Sequence, residues 1–121
     1  MYIDKQERGK NGENIAVKYL EKNNYKIIER NFRCRKGEID IIAYDETSKE
    51  IVFVEVKTRS SIIYGEPKEA VNKTKQKHIK LVASYYNYTY GLYDIPVRFD
   101  VIEVMINNSI YKVYHIKQAF N

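Results

Sequence analysis

Hydrophobic and polar positions along the chain alternate with two periods, and these predict helices and strands in one order. Apolar residues recur every three or four positions in two stretches, as on a helix, whereas five stretches are β-branched or aromatic, as in strands. The predicted helices are Lys10–Lys22 and Lys73–Asn87. The predicted strands are Tyr25–Arg33, Glu38–Tyr44, Ile51–Thr58, Val97–Met105 and Ile110–Ile116, followed by a short tail, Lys117–Asn121. The order α-β-β-β-α-β-β predicts a single α/β domain over residues 1–121, a sandwich with helices packed on a central mixed sheet.

The second and third strands carry polar residues that their hydrophobic pattern does not explain. If the hairpin is symmetric about Thr47 and Ser48, Asp40 lies directly opposite Glu55, and Lys57 shares the face of Glu55. Like charges opposite each other destabilise a sheet, so such a pair favours a shared proton or a bound cation. Mg²⁺ prefers oxygen ligands from a few carboxylates. A one-residue slip would move Asp40 to the opposite face, and an ordinary half-exposed hairpin remains the alternative.

The first helix carries a third acidic residue close to its apolar stripe. Glu13 stands three residues before Ala16 and seven before Leu20, which places it on the face directed at the sheet. Gly9 and Gly12 would permit close approach of this segment to the sheet. Glu13 is therefore a candidate third ligand, or else a first-turn acid favoured by the helix dipole.

The second helix supplies polar and basic candidates. Its apolar stripe is Ile79, Val82, Ala83 and Tyr86, and Lys75 and Gln76 extend this stripe at the first turn. Other lysines lie away from the stripe and form either a solvated face or a phosphate-binding surface: Lys73, Lys77 and Lys80. Arg59 follows the hairpin directly and is a further candidate contact to a phosphate backbone.

Two further features have alternative interpretations. Asp100 lies in an apolar strand, where it either lines the sheet near the carboxylates or pairs with Arg98 or a lysine. Five tyrosines between Tyr85 and Tyr93 suit core and rim packing, with base stacking as the alternative.

Composition adds limits to the function. The chain has 121 residues, a formal charge of +5 and a pI near 9.2, which is compatible with a polyanionic partner. Its single cysteine, Cys34, cannot form an internal disulfide and indicates a reducing compartment. Because no apolar run is long enough for a membrane span and no signal-peptide core is present, we expect a cytoplasmic protein.

Several motifs together resemble a known family. The segments GKNGENIAVKYL, RKGEIDIIAYD, VFVEVKTR, KTKQKHIKLVASYY and RFDVIEV…IKQAF follow one another along nearly the whole chain. They resemble the YraN-like family of uncharacterised bacterial proteins, which is similar to Holliday-junction resolvases and to the PD-(D/E)xK, restriction-endonuclease-like nuclease superfamily. Ile39 stands where that motif often has proline. The superfamily core has an α-β-β-β-α-β order, in agreement with the predicted elements.

The resemblance implies roles for individual residues. Asp40 and Glu55 would bind the metal with Glu13, and Lys57 would be the lysine of the ExK motif. Lys75 and Gln76 match a basic or amide position of the second helix. We therefore expect an endonuclease dependent on Mg²⁺ or Mn²⁺ that hydrolyses DNA phosphodiester bonds, including those of branched or repair intermediates, and a homodimer. The alternative is a binding module for nucleic acid that keeps the nuclease-like fold without turnover.

Overall fold

A computed structural model confirms the predicted order of elements. It describes residues 5–60, 71–108 and 110–121, with side chains from residue 11 onward. The helices are α1 (Lys5–Lys22) and α2 (Lys73–Tyr90). The strands are β1 (Tyr25–Cys34), β2 (Gly37–Asp45), β3 (Glu50–Arg59), β4 (Val97–Asn107) and β5 (Ile110–Phe120). No helix in these ranges is both long enough and apolar enough to cross a membrane.

The five strands form one mixed sheet in chain order, β1-β2-β3-β4-β5. All neighbouring pairs are antiparallel except β3 and β4, which are parallel and joined through α2. Each face of the sheet is covered by one helix, so the molecule has three layers. We call the two cores the α1 core, with Leu20, Ile41 and Val54, and the α2 core, with Ile42, Phe53 and Val82.

The hairpin of β2 and β3 has the predicted register. Ile41 pairs with Val54, and Asp45 pairs with Glu50, so the turn is centred on residues 47 and 48. A turn at this position puts Asp40 and Glu55 at the next opposed positions beyond the hydrogen-bonded ladder. The assumption on which the predicted carboxylate pair depends is therefore correct.

The predicted start of the first helix was wrong, because α1 begins at Lys5 and includes both Gly9 and Gly12. Glycine costs a helix about 1 kcal/mol relative to alanine, yet packing overrides that preference here. A Cβ atom built on Gly12 would lie 1.9 Å from Oγ1 of Thr58. Gly12 thus permits the close approach of α1 to β3 that its position suggested.

The predicted C-terminal tail was also wrong, because β5 continues to Phe120. The end of β5 is irregular: the β4–β5 register shifts between Phe99 and Val101, and Gln118 has a φ of 50°. The sequence after Ile116 therefore does not show the simple alternation from which a strand is predicted. This irregularity brings Phe120 onto Phe99, with ring centroids 5.1 Å apart, and into the α2 core.

The α2 helix likewise extends further than predicted. It continues three residues beyond Asn87 and ends at Gly91, whose φ of 66° is the left-handed conformation typical of a helix C-terminus. The Gly91 backbone amide donates to carbonyl oxygens of the last turn.

Candidate functional site

The end of the β2–β3 ladder brings Asp40 and Glu55 together, and we call them the carboxylate pair. The last paired residues are Ile41 and Val54; beyond them, Oδ2 of Asp40 accepts a hydrogen bond from the Val56 backbone amide at 2.8 Å. The Asp40 side chain therefore replaces a backbone acceptor at the place where the ladder ends.

Asp40 has a strongly perturbed pKa. Burial and, after it, the charge of the Glu55 carboxylate raise the pKa of Asp40 to about 7. Glu13 and a hydrogen bond between the carboxyl groups of Asp40 and Glu55 raise it by smaller amounts. The bond from the Val56 amide opposes this rise. Asp40 is therefore mostly protonated below about pH 7, and a bound cation would compete with that proton.

Lys75 is the side chain of α2 that reaches the carboxylate pair. Its Nζ lies 3.5 Å from Oε1 of Glu55, and its side chain is 41% exposed, whereas that of Glu55 is 9% exposed. An ion pair of this length and exposure contributes little to stability. Lys75 is thus directed at the site, as predicted, and only loosely bound there.

Beside Lys57 lies a buried acid that was not among the predicted site residues. Glu103 of β4 is the parallel partner of Lys57 and is completely buried. Burial raises its pKa, against the lowering effects of Arg59 and Lys57. Arg59 forms an ion pair with its Oε1, and its Oε2 has no hydrogen-bond partner in the described part of the chain. An acid inside the apolar run VIEVM was the sequence signal that could have revealed it.

Glu13 lies close enough to influence Asp40, but its carboxylate is already bound. Oε1 of Glu13 accepts hydrogen bonds from Arg30 at 3.0 Å and from Asn31 at 3.1 Å. Its side chain is largely shielded from solvent, which agrees with the predicted inward position. Glu13 would have to leave Arg30 before it could bind an ion together with Asp40.

The residues present suit Mg²⁺ or Mn²⁺ through two carboxylates. Within the described ranges, no group of three or more His, Cys, Asp or Glu side chains is arranged to surround a metal ion. Mg²⁺ usually keeps several waters and is held by one or two carboxylates. The mutual repulsion of Asp40 and Glu55, expressed in the raised pKa of Asp40, is the kind of unfavourable interaction that a divalent cation relieves.

The other predicted residues of α2 do not contact the pair. Nε2 of Gln76 donates to the Val71 carbonyl at 3.1 Å, so Gln76 anchors the segment before the helix. Lys73, Lys77 and Lys80 are exposed, and Nζ of Lys80 lies 5.9 Å from the centre of the Phe120 ring. Gln76 is therefore a support of α2, whereas the lysines form a basic surface.

Asp100 belongs to a different cluster, which we call the Arg98 network. The Arg98 guanidinium donates to three carboxylates at 2.9–3.0 Å: Asp45, Glu50 and Asp100. It also donates to the Tyr25 hydroxyl at 2.7 Å, and His115 Nε2 lies 2.7 Å from Asp100. Of the two alternatives for Asp100, pairing with Arg98 is correct.

The favoured prediction for the tyrosines between 85 and 93, core and rim packing, is confirmed for some of them and not for others. Tyr86 alone among them is buried in the α2 core. The others are exposed: Tyr85, Tyr88, Tyr90 and Tyr93. Tyr85 and Tyr90 pack their rings against Phe32 and Tyr86 at the rim of the core, as predicted. Tyr88 and Tyr93 are the most exposed of the group.

Two solved structures have distant similarity to the chain. A repair endonuclease from Pyrococcus abyssi aligns with 89% of this chain and 41% of its own, at 17% identity and a TM-score of 0.43. SfsA from Pyrococcus furiosus, solved in complex with Ca²⁺, aligns with 95% of this chain and 64% of its own, at 17% identity and a TM-score of 0.42. Similarity at this level carries no inference about chemistry.

Sequence relatives are much closer and have nearly the same length. A protein of Caldicellulosiruptor saccharolyticus is 47% identical over 120 residues, which cover 98% of this chain and all of the relative. A protein of Caldicellulosiruptor bescii is 51% identical over 115 residues, 93% of this chain and 95% of its own. A Geobacter metallireducens protein is 47% identical over 99% of this chain and 97% of its own. All three are named UPF0102 proteins.

A family model matches residues 12–104, from the close-approach glycine of α1 through the buried acid of β4 and its neighbour. This range contains the carboxylate pair, Lys57 and all of α2. The resemblance drawn from the motifs is confirmed: the chain belongs to the uncharacterised protein family UPF0102.

Proposed function

We propose that this protein is a metal-dependent endonuclease that hydrolyses DNA phosphodiester bonds. The observation that carries the proposal is the carboxylate pair, held by two neighbouring strands, with Lys57 two residues after Glu55. Asp40 has a pKa of about 7 because burial and Glu55 both disfavour its charge. An aspartate that a cation would ionise, beside a second carboxylate and a lysine, suits attack on a phosphate.

Asp40 and Glu55 would hold Mg²⁺ or Mn²⁺, and Glu13 would join them after release from Arg30. The bound ion would polarise a phosphoryl oxygen and lower the pKa of a water molecule. Lys57 would orient the attacking water or neutralise charge that develops on the phosphate. Glu103, the register partner of Lys57 on the neighbouring strand β4, would hold Lys57 in position, and Arg59 would in turn hold Glu103.

DNA would be bound by the basic side chains around the site. Lys75 is loosely paired with Glu55, so it is available to a phosphate when a metal ion neutralises that carboxylate. Lys73, Lys77 and Lys80 would contact the backbone without reading sequence. Arg59 has Glu103 as a partner, which makes it a weaker candidate for a phosphate contact than the sequence suggested. Branched or repair intermediates are the substrates that the family resemblance favours, and a homodimer the assembly.

A second candidate function is a nucleic-acid-binding module without turnover. The observation that favours it is the state of Glu13, whose carboxylate is bound by Arg30 and Asn31 rather than turned toward Asp40. In that case the basic surface binds DNA, and the carboxylate pair keeps its proton. The two functions differ in whether any DNA is cut.

Cleavage of labelled DNA tests the proposal. Single-stranded, duplex, flap and four-way-junction DNA would be incubated with Mg²⁺ or Mn²⁺, with EDTA as the metal-free control. We expect metal-dependent cutting that falls at least about 100-fold in Asp40→Asn and Glu55→Gln, because each loses a charged ligand. Lys57→Met should lose a similar factor, because it removes a positive charge that stabilises the transition state.

Glu38→Gln is the matched control, because Glu38 is an acid of β2, the strand that also carries Asp40. Its side chain is 55% exposed and pairs with Arg33 at the surface. This variant should cut like wild type. Binding of these DNAs without cutting under any metal condition would support the binding module instead. Cutting that survives in Asp40→Asn would exclude the carboxylate pair as the site.

A further inference from the structure

The far end of α2 carries an open groove lined by aromatic and apolar side chains, which we call the tyrosine groove. Its lining includes Asn87, Tyr88, Leu92, Tyr93, Ile95 and Val97, and its volume is about 520 Å³. The side chains of Tyr88 and Tyr93 are 73% and 68% exposed, so their rings are accessible from solvent. The Tyr93 hydroxyl lies 3.5 Å from the Tyr88 carbonyl oxygen, which keeps the two residues adjacent.

The groove also contains an unpaired acceptor. Oδ1 of Asn87 is buried and has no hydrogen-bond partner among the described residues. A buried polar atom without a partner costs free energy, and this one belongs to a side chain that lines the groove. Because this oxygen is closed off from solvent, a ligand in the groove would reach it only after the Asn87 side chain turns outward.

A stripe of lysines leads along α2 from the first turn of the helix to this groove. Exposed residues follow one another on α2 at spacings of three or four, on one helical face: Lys73, Lys77, Lys80, Ser84 and Tyr88. Lys75, which approaches Glu55, lies in the first turn of the same helix. From Lys73 to Tyr88 the helix rises about 22 Å, which corresponds to about six or seven phosphates at the spacing of one strand in a duplex.

We propose that the tyrosine groove stacks an unpaired base of a single-stranded nucleic acid whose phosphates run along the lysine stripe. Stacking on aromatic rings is tolerant of sequence, because every base has a flat face. The positive stripe selects a polyanion over an apolar partner. This inference rests on the proposed function and narrows its substrate to DNA with a single-stranded segment.

Fluorescence anisotropy with a labelled single strand in EDTA tests binding without any cleavage. Tyr88→Ala/Tyr93→Ala should weaken binding by about tenfold for each stacking interaction removed, while Tyr88→Phe/Tyr93→Phe keeps it, since the flat ring remains. Tyr111→Ala is the matched control, because Tyr111 is exposed on a different element, strand β5. It should bind like wild type.

The dependence on salt separates stacking from charge. The tyrosine variants should bind more weakly with an unchanged slope of log affinity against log salt. Lys73→Gln/Lys77→Gln should instead reduce that slope by about 0.7 for each phosphate that the variant no longer neutralises. A strand of abasic sugar-phosphate should bind wild type as weakly as the normal strand binds the alanine variant.

Equal binding of the alanine variant and wild type would overturn the inference, as would equal binding of abasic and normal strands. A change in oligomeric state with no change in DNA binding would assign the groove to a second copy of the chain. If the tyrosine variants cleave DNA and bind it like wild type, the nuclease proposal holds and the proposed role of the tyrosine groove is excluded. If binding changes as expected but no DNA is cut, the role of the tyrosine groove is supported and the nuclease proposal is excluded.

Discussion

The β2–β3 hairpin carries a pair of carboxylates at each end, and the two pairs behave in opposite ways. At the turn, Asp45 is the register partner of Glu50; at the open end, Asp40 and Glu55 occupy the next opposed positions after Ile41 and Val54. The pKa of Asp45 is lowered to about 2, whereas that of Asp40 is raised to about 7. The same arrangement of like charges on one hairpin therefore gives an ionised aspartate at one end and a proton-binding aspartate at the other.

The difference comes from the hydrogen-bond donors around each aspartate, of which the Arg98 guanidinium is the most important. Burial acts on both aspartates in the same direction, toward a higher pKa. At Asp45 this effect is exceeded by hydrogen bonds from Arg98 and from the Ser48 and Thr47 backbone amides. At Asp40 the single amide of Val56 does not offset burial and the Glu55 charge. Buried charges are stable only when paired and hydrogen-bonded.

The comparison separates a structural cluster from a candidate for chemistry. The Arg98 network satisfies its carboxylates internally, and the pKa of Asp100 is lowered by His115, Arg98 and Gln118 despite its burial. The carboxylate pair is left short of positive charge, with only the loosely held Lys75 of α2 beside it among the described residues. Acids whose pKa is strongly raised, as that of Asp40 is, are characteristic of functional sites.

The largest effect should follow from breaking the satisfied end. Arg98→Met leaves Asp45 and Asp100 buried without their cation, and we expect a loss of about 3–5 kcal/mol in the free energy of unfolding, measured with urea near neutral pH. Because both aspartates have lowered pKa values, their stabilisation is present above their unfolded pKa of 3.8 and is lost as the pH falls toward about 2. The deficit of the variant should therefore shrink in acid.

Arg33→Met is the matched control for that experiment. Arg33 pairs with Glu38 at the surface, where its side chain is 75% exposed. It should change stability by less than about 1 kcal/mol. An equal loss in both variants would show that the network adds nothing beyond an ordinary surface pair.

An intermediate effect should follow from removing the charge at the unsatisfied end. The pKa of Asp40 is above its unfolded value of 3.8, so the native state holds a proton that the unfolded chain releases between about pH 4 and pH 7. Stability should therefore fall as the pH rises through this window. Asp40→Asn removes the cost of ionising this carboxyl group in the folded protein. We expect the variant to gain on the order of 2 kcal/mol in the free energy of unfolding at about pH 8 and almost nothing at about pH 4.

Melting temperatures across that pH range measure the gain, with Glu38→Gln as the control of unchanged pH dependence. Addition of Mn²⁺ near pH 8 should then raise the melting temperature of wild type more than that of Asp40→Asn, because a ligand of the native state stabilises it. A variant whose advantage is the same at every pH would contradict the raised pKa of Asp40.

The smallest effect should come from the loose cation beside Glu55. Lys75→Met removes an ion pair of 3.5 Å whose lysine is partly exposed, and we expect a change below about 1 kcal/mol that disappears at high salt. Thermal unfolding at low and high salt measures it. A loss as large as that of Arg98→Met would mean that Lys75 satisfies the pair, and the contrast between the two ends would fail.

Local patterns determined much of this molecule. The spacing of Ile79, Val82, Ala83 and Tyr86 predicted the buried stripe of α2 because a helix repeats every 3.6 residues. The symmetric placement of Thr47 and Ser48 predicted the hairpin register, and with it the opposition of Asp40 and Glu55. The family resemblance followed from motifs that retain their order along the chain.

Only the tertiary structure decided which charged residues are partners, because partners lie far apart in sequence. Arg98 donates to Asp45, which is 53 residues away in sequence, and Arg30 donates to Glu13, which is 17 residues away. Glu103 became visible as a neighbour of Lys57 only through the parallel register of β3 and β4. Sequence alone determined the elements, the hairpin register and the family, since these depend on local periodicity and motif order. The pKa values of the acids depend on burial and on distant partners, and those are properties of the folded chain.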